Sequence, residues 1–155
     1  MKIKLLTIGK TSFDFLRQGE SEYEKRLVHY CQFERLNLND VKSLKNNEDL
    51  KIAEGKEFLS KIDNRDYVVL LDENGKEMSS VDFAKWLENR KNYFPERVVF
   101  IIGGAFGFSD EMKARANTFF SMSKMTFSHQ MVRMIFLEQL YRGFSIIAGE
   151  SYHHV

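Results

Sequence analysis

The chain has 155 residues, 43% of them hydrophobic and 14% aromatic, and its formal net charge is +1. This size and composition predict one domain, residues 1–155, with a substantial hydrophobic core, and they exclude an intrinsically disordered protein. The nearly neutral charge also excludes a polycationic nucleic-acid protein, so any contact with RNA must come from a local basic patch.

Cys31 is the only cysteine, which excludes a disulfide scaffold within one chain and favours a cytoplasmic protein. The simplest interpretation of Cys31 is a small buried hydrophobe. The opening MKIKLLTIGK lacks the apolar segment of a signal peptide, and no apolar run is long enough to cross a membrane. We therefore expect a soluble cytoplasmic protein without membrane contact.

The first half of the chain alternates the signals of strands and helices. Hydrophobic periodicity predicts four elements there: strands at 2–8 and 32–38, and helices at about 13–30 and 48–62. The apolar run Tyr67–Asp72 follows, and it is typical of a strand that is covered on both faces of a sheet. Glu73-Asn74-Gly75 is then expected to end this strand and turn the chain.

The alternation continues beyond this turn. Ser79 or Ser80 can cap the next helix, which stops before Pro95, and Asp82 is placed for a capping box with Ser79. The apolar run 97–102 predicts a second buried strand, and Ser109 is placed to cap the helix that follows it.

The last third of the chain contains the longest helical pattern, residues 129–147, after an irregular or strand-like stretch at 119–127. Apolar residues of this helix occupy more than one face. We therefore expect part of it to pack against a second copy of the chain, through Met131, Met134 and Leu137.

Strands that alternate with helices predict an α/β fold in which one sheet lies between two layers of helices. From the pattern alone, we expect an ordinary doubly wound sheet with right-handed crossovers and no knot. The ends of the two most apolar strands should lie side by side, where folds of this kind bind their ligands.

Short polar or glycine-rich segments follow both of these strands. Gly103 and Gly104 end the second one, and glycines there allow a positive φ and the close approach of a ligand. Their spacing matches neither GxGxxG nor a P-loop, so a tight structural turn explains them as well as a cofactor loop does. Leu71 and Asp72 end the first strand, and a plain strand end is sufficient to explain them.

Residues of chemical interest also occur around the last helix. His129 and Arg133 are four residues apart and share one helix face, which can either hold an anion or be a solvated polar surface. Tyr152 and His153 can stack on a base and accept a proton, or they can belong to a frayed tail. No stretch has the spacing of metal ligands, so we predict no metal.

The sequence resembles the RlmH (YbeA-like) family, SPOUT-class enzymes that methylate N3 of a pseudouridine in large-subunit (23S) ribosomal RNA. The resemblance covers essentially the full chain and includes KIKLLTIGK, VVLLDENGK, IIGGAFGFS and the terminal SYHH. The most specific stretch is SMSKMTFSHQMVRMIFLEQLYRGFSI, in which S-x-S-x-M-T-x-x-H-x-x-V-R leads into E-Q-L-Y-R-G.

This resemblance implies a SPOUT fold with a C-terminal trefoil knot, unlike the unknotted sheet that the pattern predicts, and a homodimer. It implies S-adenosylmethionine as the cofactor, and ribosomal RNA or the assembled ribosome as the partner. It places the catalytic, substrate-side residues at His129, Arg133, Tyr152 and His153. It places the cofactor contacts at Leu71, Gly103, Gly104, Met122, Ser123, Lys124, Met125, Thr126 and Phe127.

Several alternatives stay open at the level of sequence. A non-catalytic ribosome- or RNA-binding module would keep the basic and aromatic residues without needing the glycine loop. A different nucleotide-using α/β enzyme is disfavoured by the missing P-loop and GxGxxG. In a methyltransferase, either His129 or His153 could accept the N3 proton, and Arg133 could stabilise the developing negative charge or hold a phosphate.

Overall fold

The computed structural model describes residues 1–41 and 46–154. Five strands are found there: β1 (Lys2–Ile8), β2 (Gln32–Leu38), β3 (Tyr67–Glu77), β4 (Val98–Ile102) and β5 (Thr118–Ser121). Helices alternate with them: α1 (Asp14–Leu27), α2 (Asn47–Leu59), α3 (Ser80–Tyr93), α4 (Asp110–Arg115) and α5 (Met131–Ile147). The strands form one parallel sheet in the order β2-β1-β4-β3-β5.

Helices cover both faces of this sheet. α1, α3 and α5 pack on one face, where the core includes Phe100 of β4 and Phe136 of α5. α2 and α4 pack on the other, where the core includes Val99 of β4 and Phe58 of α2. Successive residues of the central strand β4 therefore enter opposite cores, which is why its whole sequence is apolar. The predicted three-layer α/β fold is confirmed.

The crossovers follow one rule throughout the sheet. The chain leaves β1 and β3 through helices on one face and moves toward the β2 edge. It leaves β2 and β4 through helices on the other face and moves toward the β5 edge. Because face and direction reverse together, all four crossovers have the same hand. The trefoil knot does not follow from this strand order and stays a prediction.

β3 is longer than its apolar run, and the expected end of the strand after Asp72 is wrong. Its pairing with β5 shifts register between Leu71 and Lys76, so residues 72–75 form a bulge and the strand then resumes. Gly75 permits this, because a Cβ there would lie only 2.6 Å from the main-chain carbonyl carbon of Phe120. The bulge places polar residues at the carboxyl edge of the sheet.

The predicted helix starts at Ser79 and Ser109 are confirmed. Ser79 Oγ accepts from the N–H of Asp82 at 3.1 Å and donates to the Asp82 carboxylate at 2.7 Å. Ser109 Oγ accepts from the N–H of Met112 at 3.3 Å. Both caps satisfy main-chain donors that the first helical turn leaves without a partner.

The last helix, α5, lies between α1 and α3 and packs against both. Leu137 is fully buried in the core of its own chain, so the expectation that it faces a second copy is wrong. Because α5 contacts a helix on each side and the sheet beneath, it buries a wider apolar surface than a helix that packs through one face only. Met131 and Met134 are half-buried.

The expected character of Cys31 is confirmed, because its side chain is buried beside the core of the first face. Burial raises the pKa of this thiol to about 12, which keeps it protonated and unreactive at neutral pH. None of the helices in residues 1–41 and 46–154 is both long and apolar enough to cross a membrane.

Candidate functional site

A cleft of about 410 Å³ opens at the carboxyl ends of β3 and β4. Its walls come from the bulge at 72–74, the loop 103–108 after β4, the segment 121–127 after β5, and His129 and Val132 beside the start of α5. β3 leads to α3 on one face while β4 leads to α4 on the other, so the two loops diverge and leave a crevice between them. The expectation that these two strand ends lie side by side is confirmed.

One wall of this cleft is a chain segment, 122–130, that crosses the carboxyl edge of the sheet. β5 ends at Ser121 on the outer edge. The start of α5 instead contacts the residues that follow β1, since Gln130 Oε1 accepts from the N–H of Ser12 at 2.8 Å. The segment must therefore pass over the ends of β3 and β4, and the cleft lies under this crossing.

Apolar side chains are exposed at the mouth of the cleft. Met125 is 77% exposed, and Phe106 and Phe127 are also exposed although both line the cavity. Large apolar groups in such positions are typical of a surface that a ligand or partner covers.

All but one of the predicted cofactor residues line this cleft. Those that do are Leu71, Gly103, Gly104, Met122, Ser123, Met125, Thr126 and Phe127. Lys124 is exposed and does not line the cavity. Four charged residues outside the predicted cofactor set also contribute to the lining: Lys51, Asp72, Glu73 and Lys113.

The two glycines after β4 leave room for side chains of the protein itself. A positive φ occurs at Gly107 and at neither Gly103 nor Gly104, so that part of the expectation is wrong. A Cβ on Gly104 would lie 2.7 Å from both carboxylate oxygens of Glu54. A Cβ on Gly103 would lie 3.1 Å from the ring of Phe108. The space that these glycines leave free is thus occupied by side chains of the protein itself.

Glu54 of α2 is a site residue that sequence reasoning missed. It is only 7% exposed, and its carboxylate lies against the glycine loop at Gly104. Burial raises the pKa of this carboxyl, the main-chain N–H of Gly104 opposes that shift, and Asp40 adds to it. The only signal in the sequence is a glutamate within an apolar helix pattern, which does not reveal the loop that it contacts.

His129 lies at the mouth of the cleft, just before α5. Partial burial lowers the pKa of its imidazole, the positive charge of Arg133 lowers it further, and Asp40 opposes both. The neutral imidazole is therefore the main form at neutral pH, and it is able to accept a proton.

Arg133 lies one turn after His129, as predicted, but its side chain points into the chain and is 0% exposed. Its Nη1 donates to the main-chain oxygen of Gly9 at 3.0 Å, and its Nη2 donates to the main-chain oxygen of Ile8. Contact with a substrate would require this guanidinium to leave its acceptors, so the geometry gives no support to the expected substrate contact.

The tail forms a second cluster on the far part of α5. The Tyr152 hydroxyl donates to Glu138 Oε1 at 3.0 Å, and its ring lies 4.7 Å from that of Tyr141. Arg142 Nη1 lies 3.3 Å from His153 Nδ1. Glu138 and Arg142 form an ion pair one turn apart on α5, and the tail packs on this pair.

The structure does not bring the predicted catalytic residues together within one chain. Glu138 and Arg142 follow His129 by nine and thirteen residues, which correspond to about 14 and 20 Å of helix. Tyr152 and His153 pack against these residues, so they lie well away from the cleft of their own chain. Within residues 1–41 and 46–154, no group of three His, Cys, Asp or Glu side chains is placed to hold a metal ion.

A parallel α/β sheet with a polar and apolar cleft at its carboxyl edge defines a ligand-binding protein of the three-layer class. Residues 1–153 match the family described as "Predicted SPOUT methyltransferase". The ribosomal RNA large subunit methyltransferase H of Christiangramia forsetii is 49% identical over 156 residues, which cover 99% of both chains. Relatives in other bacteria, 43–47% identical, carry the same name. The chain belongs to the SPOUT methyltransferase family, which confirms the resemblance.

Two solved structures share the fold at low sequence identity. A methylase family protein of Haemophilus influenzae aligns with 99% of this chain and 70% of its own, with a TM-score of 0.56 and 10% identity. A protein of Legionella pneumophila, solved with bound cofactor SAM, aligns with 95% of this chain and 66% of its own, with a TM-score of 0.50 and 12% identity. At these identities the likeness supports the fold alone.

We predict that Gly104→Ala weakens the binding of S-adenosylhomocysteine because the new methyl group collides with the carboxylate of Glu54. Overpacking costs at most about 1–3 kcal/mol here, because the methyl group meets the far end of a flexible side chain, and a loop that shifts to relieve the collision changes the wall of the cleft. The double variant Gly104→Ala/Glu54→Ala should recover most of the lost affinity, because the smaller side chain removes the collision. Titration calorimetry on the wild type, both single variants and the double variant gives the coupling.

Glu54→Gln is the matched control, since an amide fills the same space as the carboxylate and should not rescue Gly104→Ala. If Gly104→Ala/Glu54→Ala binds no better than Gly104→Ala alone, the methyl group is rejected by something other than Glu54, and the contact assigned here is not the reason for the glycine.

Proposed function

We propose that this chain is an S-adenosylmethionine-dependent methyltransferase that methylates N3 of a pseudouridine in large-subunit ribosomal RNA. The observation that carries this proposal is the cleft, where eight of the nine predicted cofactor residues meet in a chain of this family. Full-length relatives named as large-subunit ribosomal RNA methyltransferases support the substrate class. Such RNA is made and modified in the bacterial cytoplasm, where we place the protein.

The lining of the cleft fits the proposed cofactor. Its volume lies within the usual range of small-molecule sites, roughly 300–1,000 Å³. Asp72 and Glu73 offer acceptors for ribose hydroxyls or an ammonium group, and Lys51 and Lys113 offer positive charge to a carboxylate. When bound, S-adenosylmethionine supplies a methyl group on a sulfonium. The protein's main task is then to hold the target nitrogen in line with that methyl group.

The nitrogen that is methylated carries a proton at neutral pH, so a base must take this proton. His129 is suited to the task because it lies at the mouth of the cleft and its lowered pKa keeps it neutral. His153 is less suited in the arrangement described here. Arginine can only donate, so His153 Nδ1 accepts from Arg142 and the ring proton lies on Nε2, which then acts as a donor.

We further propose that the active unit is a homodimer in which the tail of each subunit completes the cleft of its partner. Tyr152 and His153 lie too far along α5 to serve the cleft of their own chain. Exposed Met125 and Phe127 at the cleft mouth leave apolar surface for a partner or a base to cover. The tail of a second subunit can supply Tyr152 for stacking on the target base.

Comparison of ribosomal RNA nucleosides by mass spectrometry, from cells with and without the gene, tests the proposed reaction. Loss of N3-methylpseudouridine in the deletion strain, and its return with the wild-type gene, is the expected result. Calorimetry with S-adenosylhomocysteine separates the enzyme from a non-catalytic RNA-binding module. A folded protein that binds ribosomal RNA but no S-adenosylhomocysteine is such a module, and the proposal then fails.

We predict that His129→Gln lowers turnover by about 10²–10⁴-fold, the usual contribution of a general base, with little change in the affinity for S-adenosylhomocysteine. The base works in its neutral form, so wild-type kcat/KM should fall as the pH drops below the ordinary histidine pKa of about 6.5, through the lowered pKa of His129. The variant should lack this acidic limb. A variant with the wild-type pH profile would remove His129 from the role of base.

We also predict that deletion of residues 152–155 leaves a dimer that binds S-adenosylhomocysteine normally but loses most methylation. Light scattering gives the oligomeric state, and calorimetry gives the affinity. Mixing this truncated protein with His129→Gln should restore part of the activity, because in mixed dimers one cleft has both an intact His129 and an intact partner tail. Full activity without the tail, or a monomeric wild type, would contradict the shared site.

A further inference from the structure

We propose that Arg133 is a positioning residue whose buried guanidinium ties the start of α5 to the loop after β1 and so fixes the crossing segment 122–130. The inference rests on the proposed function in one respect, since it takes the cleft under this segment to be the cofactor site. It gives Arg133 a role that differs from the substrate contact implied by the family resemblance.

The hydrogen bonds of Arg133 all go to one short stretch of chain. They reach the main-chain oxygens of Ile8 and Gly9, and Thr11 Oγ1 at 3.3 Å. A planar guanidinium presents its donors in a fixed fork, so these acceptors define both the position and the orientation of the side chain. Because the group is charged and wholly buried, losing these acceptors would be costly, and the contact is therefore stiff.

No carboxylate in the described part of the chain lies within ion-pair distance of Arg133. Instead, Arg133 reaches a carboxylate through Thr11, whose hydroxyl accepts from Arg133 and donates to the buried carboxylate of Glu20 at 2.9 Å. Glu20 in turn pairs with Arg35 of β2 at 2.7 Å. These hydrogen bonds and this ion pair therefore connect Arg133, at the start of α5, to β2, α1 and the loop after β1.

A second contact between the same two pieces of chain supports this assignment. Gln130 Oε1 accepts from both the N–H and the hydroxyl of Ser12, at 2.8 and 3.0 Å. Gln130 and Arg133 are three residues apart, so they lie on one side of the first turn of α5. Together they fix the end of the crossing segment that faces β1.

The other end of the crossing segment is fixed at the sheet, where Ser121 pairs with Glu77 of β3. The residues between these two anchors form a wall of the cleft. Releasing the anchor at Arg133 would let the wall sample other positions, and the cofactor would then have to order it on binding. The expected consequence is a loss of cofactor affinity that exceeds the effect of the substitution on the rest of the fold.

Arg133→Met removes the guanidinium fork while keeping an unbranched apolar stem, and it is the primary variant. Hydrogen exchange of the full-length protein without ligand should show faster exchange at residues 122–130. The dissociation constant of S-adenosylhomocysteine should rise by about tenfold or more, because a small displacement of the residues around a ligand can have an effect of this size. Arg133→Lys should recover part of both effects, because it keeps the charge and some donors.

Arg90→Met is the matched control. Arg90 is also a buried arginine, 8% exposed, but it stacks on Tyr67 and Phe94 at the amino-terminal end of β3, away from the cleft. Its loss should lower the melting temperature yet leave both the exchange of 122–130 and the ligand affinity within about twofold of wild type.

Thr11→Val keeps the test informative if Arg133→Met does not fold. It removes one acceptor of the guanidinium and should produce the same two effects on a smaller scale. Unchanged exchange at 122–130 in these variants overturns the proposal. Unchanged ligand affinity together with lost turnover would also overturn it, because Arg133 would then act on the substrate. An equal loss of affinity in Arg90→Met would overturn it as well. If the wild type itself binds no ligand, the proposed function fails while the exchange measurement still decides the role of Arg133.

Discussion

The path of the chain across the carboxyl edge of the sheet is the constraint on which the rest of this site depends. All five strands are parallel, so every loop that follows a strand emerges at this one edge. β5 is at the outer edge, whereas α5 starts beside β1. The chain between them has to cross the ends of β3 and β4, and this crossing turns an open crevice into a walled cleft.

Several charged side chains near the loops that follow the strands are buried, and burying a charge raises the free energy of the folded state. Arg133, Glu54 and Glu20 are all nearly or fully buried, and each faces a loop at the carboxyl edge. A buried charge is tolerated only where fixed partners replace water. Such groups against the loops that follow the strands favour a single loop arrangement, because any displaced loop would leave a charge without its partners. This is the preorganisation that a methyl-transfer site requires.

The candidate catalytic residues lie at two separate places along α5. His129 lies just before its first turn, and that turn carries Arg133, while its far part carries the Glu138–Arg142 pair on which the tail packs. The rigidity of a helix prevents one subunit from closing this gap. In the homodimer proposed above, the tail of each subunit supplies what the cleft of its partner lacks, which gives the symmetric dimer a chemical purpose beyond added surface.

The sequence by itself determined the alternation of elements, the two apolar strands and the helix caps, since these depend on local periodicity and on side chains within one turn. Its longer motifs also identified the family and eight cofactor residues that do line the cleft. Only the tertiary structure decided that β3 continues past Asp72, that Leu137 belongs to the core, and that Glu54 fills the space at Gly104. It also decided that Arg133 faces inward. The physical reason is the same in each case: these outcomes depend on contacts between residues far apart in the chain, and local pattern does not encode which partner a side chain meets.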